Sequence, residues 1–137
     1  MDITVIDGQG GGIGKTIIER IRSELGNDVT ITALGTNVFA TSSMLKAGAD
    51  KGATGENAIK VNSMKADLIL GPLALIIKDS LLGEITGEMV AAVSTSKAQK
   101  ILLPLNKCGV TVIGTSKCKM VQLLDEMMQK IKETIKG

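Results

Sequence analysis

Residues 8–14 of this chain hold five glycines in seven positions, within the run Asp7-Gly8-Gln9-Gly10-Gly11-Gly12-Ile13-Gly14-Lys15-Thr16. Glycine has no Cβ, so such a run lets the backbone come close to a ligand and adopt φ > 0. The apolar run Ile3-Thr4-Val5-Ile6 precedes it and a helical pattern follows. A strand, a glycine-rich turn and a helix N-terminus form an anion site, because the N–H groups of a first helical turn have no partner inside the helix. The expected ligand is phosphate-bearing, a nucleotide foremost. Gly8, Gln9, Gly10, Gly11, Gly12, Ile13 and Gly14 would line it, with Lys15 as counter-charge. The alternative is a tight strand-to-helix turn and nothing more.

Two templates fit the loop in part. In the dinucleotide fingerprint G-x-G-x-x-G, Gly8 and Gly10 match, Ile13 stands where the third glycine belongs, and Gly14 comes one residue late. Gly10-x-x-x-Gly14 is closer to the looser spacing of short-chain dehydrogenases. The acidic residue expected about 20 positions on is replaced by Gly35-Thr36-Asn37, which leaves the usual ribose contact of NAD unsupported. In the phosphate loop G-x-x-x-x-G-K-[ST], Gly14-Lys15-Thr16 match the end and Gln9 replaces the first glycine. The run Gly11 to Thr16 resembles the deviant phosphate loops of the ParA and MinD ATPases, with Gly10 in place of their early lysine. Asp67 begins its strand rather than ending it, so no metal carboxylate is placed, and no arginine is positioned for phosphoryl transfer. A minimal ATPase is therefore a third reading, and no metal site is expected.

Ligands of open α/β sheets lie outside the carboxyl ends of the strands. That edge is expected to carry Asp7 and Gln9, then Thr36 and Asn37, then Gly71-Pro72, then Asn106 and Lys107. Thr36, Asn37 and Asn106 are the expected ligand contacts beyond the loop, although turns and N-caps use the same residue types. Thr54-Gly55-Glu56-Asn57 is either a loop that closes over this edge or a helix cap with an acidic first turn. Asp79 and Glu84 are the acid–base candidates in a chain that has no His. Cys108, beside Lys107, is either an activated thiol or a small buried apolar residue.

Composition bounds the rest. The 137 residues suit one domain over 1–137, and 44% of them are hydrophobic, enough for a core. No apolar run reaches the roughly 18 residues that span a bilayer, and the first strand has no signal-peptide pattern. The expectation is a cytoplasmic protein with no membrane partner. A net charge of +2 and a single aromatic residue, Phe39, argue against a nucleic-acid partner. Without His, Ser-His-Asp and Cys-His catalysis and His-based metal sites are excluded. Cys108 and Cys118 fit two reduced thiols better than a disulfide.

These candidates need elements to position them. Residues 3–7 read as a buried strand. Ile13, Ile17, Ile18, Ile21 and Leu25 recur at helical spacing and Gly26 ends that helix. Val29 to Leu34 reads as a second strand, Thr36-Asn37 as an N-cap and Val38 to Ala47 as a helix. Residues 48–57 read as a loop, and Glu56 to Met64 as a short helix. Asp67 to Leu70 is a strand broken by Gly71-Pro72, and Leu73 to Leu82 a helix or an irregular crossover. Thr86 caps a helix from Gly87. Lys100 to Leu105 and Val110 to Gly114 read as strands only four residues apart, too close for a parallel connection, so an antiparallel hairpin is expected. Met120, Leu124, Met127, Ile131 and Ile135 form the stripe of a last helix, which serves core packing or a subunit contact and points to a homodimer. The order implies an α/β, Rossmann-like three-layer α/β/α fold, mostly parallel, with an antiparallel C-terminal hairpin strand.

The run Val5 to Lys15 resembles the opening of an uncharacterised bacterial family, a domain of unknown function. Ala33-Leu34-Gly35-Thr36-Asn37, Leu45 to Asn57 and Leu103 to Gly109 match the same family, so the resemblance spans essentially the whole chain. It implies a small, single-domain, Rossmann-like protein with no assigned activity, and it carries over no catalytic residues. The residues thus point to binding of a nucleotide or another phosphate-containing metabolite at the glycine loop. An adaptor or regulatory subunit on the same scaffold is the alternative. No cofactor is identified, though a nucleotide or dinucleotide fits the loop.

Overall fold

The computed structural model describes residues 1–105 and 109–137. Five parallel strands form one sheet in the order β3-β2-β1-β4-β5: β1 Asp2–Asp7, β2 Thr30–Gly35, β3 Lys51–Thr54, β4 Leu68–Pro72 and β5 Gln99–Leu103. The chain runs outward from β1 to β3 and then crosses back to β4. The sequence order therefore reverses between β1 and β4, and this reversal opens a crevice at their carboxyl ends.

Strand pleat explains the two cores. Ile3 and Val5 of β1, Ile31 and Ala33 of β2, and Leu68 and Leu70 of β4 point to one face. There they meet α1 (Gly12–Leu25), α2 (Val38–Ala47) and α5 (Met120–Lys136). Ile6, Leu34 and Ile69 point to the other face, against α3 (Glu56–Ser63) and α4 (Gly87–Thr95). Strands covered on both faces read as near-continuous apolar runs, which is why residues 3–7 and 68–70 were recognisable. Leu124, Met127 and Ile131 of the α5 stripe are buried in the first core with Met128, and Met120 packs against it, while Ile135 at the end of the stripe is exposed. No helix among the described residues is long and apolar enough to cross a membrane.

Two expectations fail. The hairpin over Lys100–Leu105 and Val110–Gly114 is absent, and its turn falls on Asn106, Lys107 and Cys108, outside the described residues. β5 instead pairs parallel to β4, from Leu68↔Gln99 to Pro72↔Leu103, after a crossover through α4. Residues 110–114 form no strand. Ile113 is 91% exposed, and a β-branched run with no face to bury gains little from strand geometry. The second miss is β3. Lys51-Gly52-Ala53-Thr54 has no apolar alternation, because as an edge strand paired only with β2 it buries little. Leu73 to Leu82 is irregular: one 3-10 turn, Leu73–Ile76, precedes a series of tight turns.

A glycine is required where strand and helix meet. A Cβ on Gly35 would lie 2.6 Å from the Thr41 backbone nitrogen and 2.7 Å from the Asn37 carbonyl oxygen. Gly35→Ala is expected to cost about 1–3 kcal/mol of stability. Gly10→Ala, whose Cβ would meet nothing within 4 Å, is expected to stay within about 0.5 kcal/mol of the parent. Denaturant unfolding of both variants distinguishes the two.

Candidate functional site

The glycine loop leaves β1 at Asp7, whose side chain is only 2% exposed. Asp7 Oδ1 accepts the Gly8 N–H at 2.8 Å and Oδ2 accepts the Gly14 N–H at 2.7 Å. Gly11, at φ 73°, is the N-cap of α1 and has no side chain to cap it. The carboxylate of Asp7 therefore takes the place of the missing cap and sits against the positive end of the helix dipole. Burial pushes the Asp7 carboxyl above its usual range, with Glu84 adding to the rise, while the Gly14, Gly8 and Ile13 amides oppose it.

The loop then splits into a packed half and an open half. A Cβ on Gly8 would lie 2.8 Å from Thr36 Oγ1, 2.9 Å from Glu84 Oε1 and 2.9 Å from Leu81 Cδ1. On Gly11 it would lie 2.9 Å from Ala40 backbone atoms, and on Gly14 it would run into Met44. Ile13 packs against the core. Gly10 and Gly12 are different: both are exposed, neither has a positive φ, and a Cβ on either meets nothing within 4 Å. Their N–H groups have no acceptor among the described residues. Lys15 is exposed in the first turn of α1 and pairs with no acid among the described residues.

Across the crevice, Glu84 reaches the loop from the β4–α4 crossover. Its Oε1 accepts the Gln9 N–H at 2.8 Å, the Asn37 Nδ2–H at 2.9 Å and the Thr36 hydroxyl. Asn37 Nδ2 also donates to the Gln9 carbonyl at 3.0 Å, while its Oδ1 accepts the Ala40 N–H and caps α2. Burial pushes Glu84 up, but the Thr36 hydroxyl and the Gln9 and Asn37 amides together outweigh it and hold the carboxyl below its usual range. The crossover that presents Glu84 is tightly bonded within itself, through Asp79 N–H to the Ile85 carbonyl at 2.7 Å and Ser80 Oγ to the Ala74 carbonyl at 2.7 Å. Asp79, Leu81 and Leu82 all take left-handed backbone there, a strained conformation for side chains of this kind.

Of the expected site residues, the structure brings together Gly8, Gln9, Thr36 and Asn37, and places Gly10, Gly12 and Lys15 on the outer surface of the same loop. Gly11, Ile13 and Gly14 serve packing. Asn106 lies outside the described residues. Gly55 is the N-cap of α3 and makes no side-chain cap bond, while Glu56 is the acid of the first helical turn and accepts the Thr86 hydroxyl at 2.6 Å, closer to the helix-start alternative than to a loop. Asp79 is exposed and its side chain makes no hydrogen bond to the crevice's polar cluster. The missed partner is Glu84. The β2 end has no acid of its own, and this carboxylate reaches it from 47 residues away. The strand order holds the signal, since residues after β4 must face those after β1. Among the described residues no three His, Cys, Asp or Glu side chains gather as a metal site would need.

Two outcomes follow from the carboxylates. Asp7→Ala leaves two buried amides unpaired and is expected to cost about 2–5 kcal/mol, read by denaturant unfolding. Glu84 has a lowered folded pKa, so its stabilisation is complete above the ordinary glutamate value and fades as pH falls through the folded value. The stability gap between the parent and Glu84→Gln should therefore narrow on acidification below that ordinary value. A gap that widens contradicts the assignment.

The crystal structure of a dodecameric FMN-dependent UbiX-like decarboxylase from Escherichia coli O157:H7 is similar at 10% identity and a TM-score of 0.44, covering 100% of this chain and 95% of that one. No curated protein matches the chain. The family model described as "Domain of unknown function (DUF3842)" matches residues 2–136, and the chain belongs to that family.

Proposed function

We propose that residues 1–137 form one binding domain for a phosphate-bearing metabolite, a nucleotide or dinucleotide foremost, held at the open half of the glycine loop. The observation that carries this reading is the pair Gly10 and Gly12. Glycine costs stability relative to alanine where the backbone does not need it. Neither position has a positive φ or a crowded Cβ site, so the fold gives no reason for glycine at either. Close approach of a ligand to two unpaired N–H groups gives one. Lys15, exposed in the first turn of α1, would supply the counter-charge. The rest of the ligand, with a further oxygen of its phosphate, would lie over Gln9, Thr36, Asn37 and Glu84. Val38 and Phe39, 70% and 80% exposed at the start of α2, offer an apolar surface next to that cluster.

A second reading, an adaptor without a small ligand, is favoured by the packed state of Gly8, Gly11 and Gly14 and by the exposure of Val38, Phe39 and Leu82. The ATPase reading has less support. The Gly14 amide is held by Asp7, and the Thr16 hydroxyl donates to the Gly12 carbonyl at 2.9 Å rather than facing a metal.

The test is a thermal-shift panel of NAD(H), NADP(H), FMN, FAD, ATP with magnesium, GTP, coenzyme A and inorganic phosphate. A ligand at about 100 times its Kd adds roughly 2.7 kcal/mol, which reads as several degrees in a chain of this size. Gly12→Asp should fold and lose that shift. Silence across the panel from the folded parent overturns the reading and favours the adaptor. Magnesium-dependent ATP turnover is expected to stay at background, in the parent and in Lys15→Ala alike.

A further inference from the structure

Three donors from two parts of the chain converge on one oxygen. They are the Gln9 N–H of the glycine loop, the Thr36 hydroxyl after β2, and the Nδ2–H of Asn37 at the N-cap of α2. Donors gathered in this way, beside a glycine that leaves room for close approach, make a receptor for an anionic oxygen. The glycine is Gly8, whose absent side chain is what admits the oxygen now bound. The occupant is Glu84 Oε1, a carboxylate of the chain itself. Gln9 reaches this arrangement at φ 49°, a left-handed conformation adopted by a residue other than glycine. The Glu84 side chain is half-buried, and its other oxygen has no partner among the described residues. The backbone hydrogen bonds of the crossover do not pass through that side chain, so rotation about its own torsions is enough to vacate the receptor.

We propose that Glu84 is a built-in competitor for the ligand's anionic group, and that a phosphate oxygen displaces it from the Gln9–Thr36–Asn37 receptor on binding. The inference rests on the binding reading above and adds its regulation: access to the site is gated by one glutamate. A charged glutamate repels an arriving anion and also blocks its donors. Neutralising or removing it should therefore strengthen anion binding. While Glu84 occupies the donors, the apparent affinity is reduced by the fraction of molecules in which they are vacant.

The test titrates inorganic phosphate into the parent, Glu84→Gln and Glu84→Ala, followed by calorimetry, with folding checked by circular dichroism. With the donors vacant in about a tenth of parent molecules or fewer, both variants are expected to bind phosphate at least about tenfold tighter than the parent. If Glu84→Ala fails to fold, Glu84→Gln decides, because its amide oxygen can still support the fold at the three donors but carries no charge and is the weaker acceptor, so an arriving anion displaces it more readily. Asp28→Asn, which removes an exposed carboxylate at the opposite edge of the sheet, controls for net charge. Equal tightening in Asp28→Asn overturns the proposal. Equal affinity of parent and Glu84 variants for phosphate, or for a ligand found by the panel, overturns it and leaves the binding reading standing. Binding of neither phosphate nor any panel ligand by the three proteins overturns both.

Discussion

The carboxylate of Asp7 ties the last residue of β1 to the first turn of α1, and the rest of the site depends on it. Its two oxygens take the Gly8 and Gly14 N–H groups, which fixes both ends of the glycine loop. The amides and the helix dipole offset part of the cost of burying this carboxyl. With the ends fixed, Gly11 closes the loop by donating to the Gly8 carbonyl at 2.9 Å. The loop then presents Gln9 toward Glu84 and Asn37, and Gly10 and Gly12 toward solvent.

The glycine run therefore has two jobs, divided residue by residue. Gly8, Gly11 and Gly14 let chain segments approach one another. Gly14 brings α1 onto Met44 of α2, Gly11 brings the loop onto Ala40, and Gly8 admits Glu84 and Leu81. Gly10 and Gly12 admit nothing from the described residues. This division explains why neither template fits cleanly. The dinucleotide fingerprint assigns its third glycine to helix–strand packing, and Gly14 does comparable work one residue late. The phosphate loop would need the Gly14 amide for a ligand, whereas here a protein carboxylate holds it.

Much of this was legible in the sequence. The buried strands were clear from Ile3 to Asp7 and from Leu68 to Leu70, because burial on both faces writes continuous apolar runs. The caps at Asn37 and Thr86 were clear because both side chains accept from the third residue on, as N-caps do. What stayed hidden depended on long-range pairing. β3 draws its geometry from β2 rather than from its own residues. The direction of β5 follows from a crossover through α4, not from the nearby Val110–Gly114 run. Glu84 was visible as an acid, but its place beside Thr36 and Asn37 follows only once β4 is known to lie next to β1.

The central claim is that the loop's outward amides are kept for a ligand, and amide-resolved NMR of the parent addresses it most directly. The titrants are inorganic phosphate and whichever nucleotide gives the largest thermal shift. The account predicts that the Gly10 and Gly12 N–H resonances move together and saturate with the ligand. Resonances of Gly10 and Gly12 that stay fixed while others move at saturation would contradict it and place the ligand elsewhere on the fold.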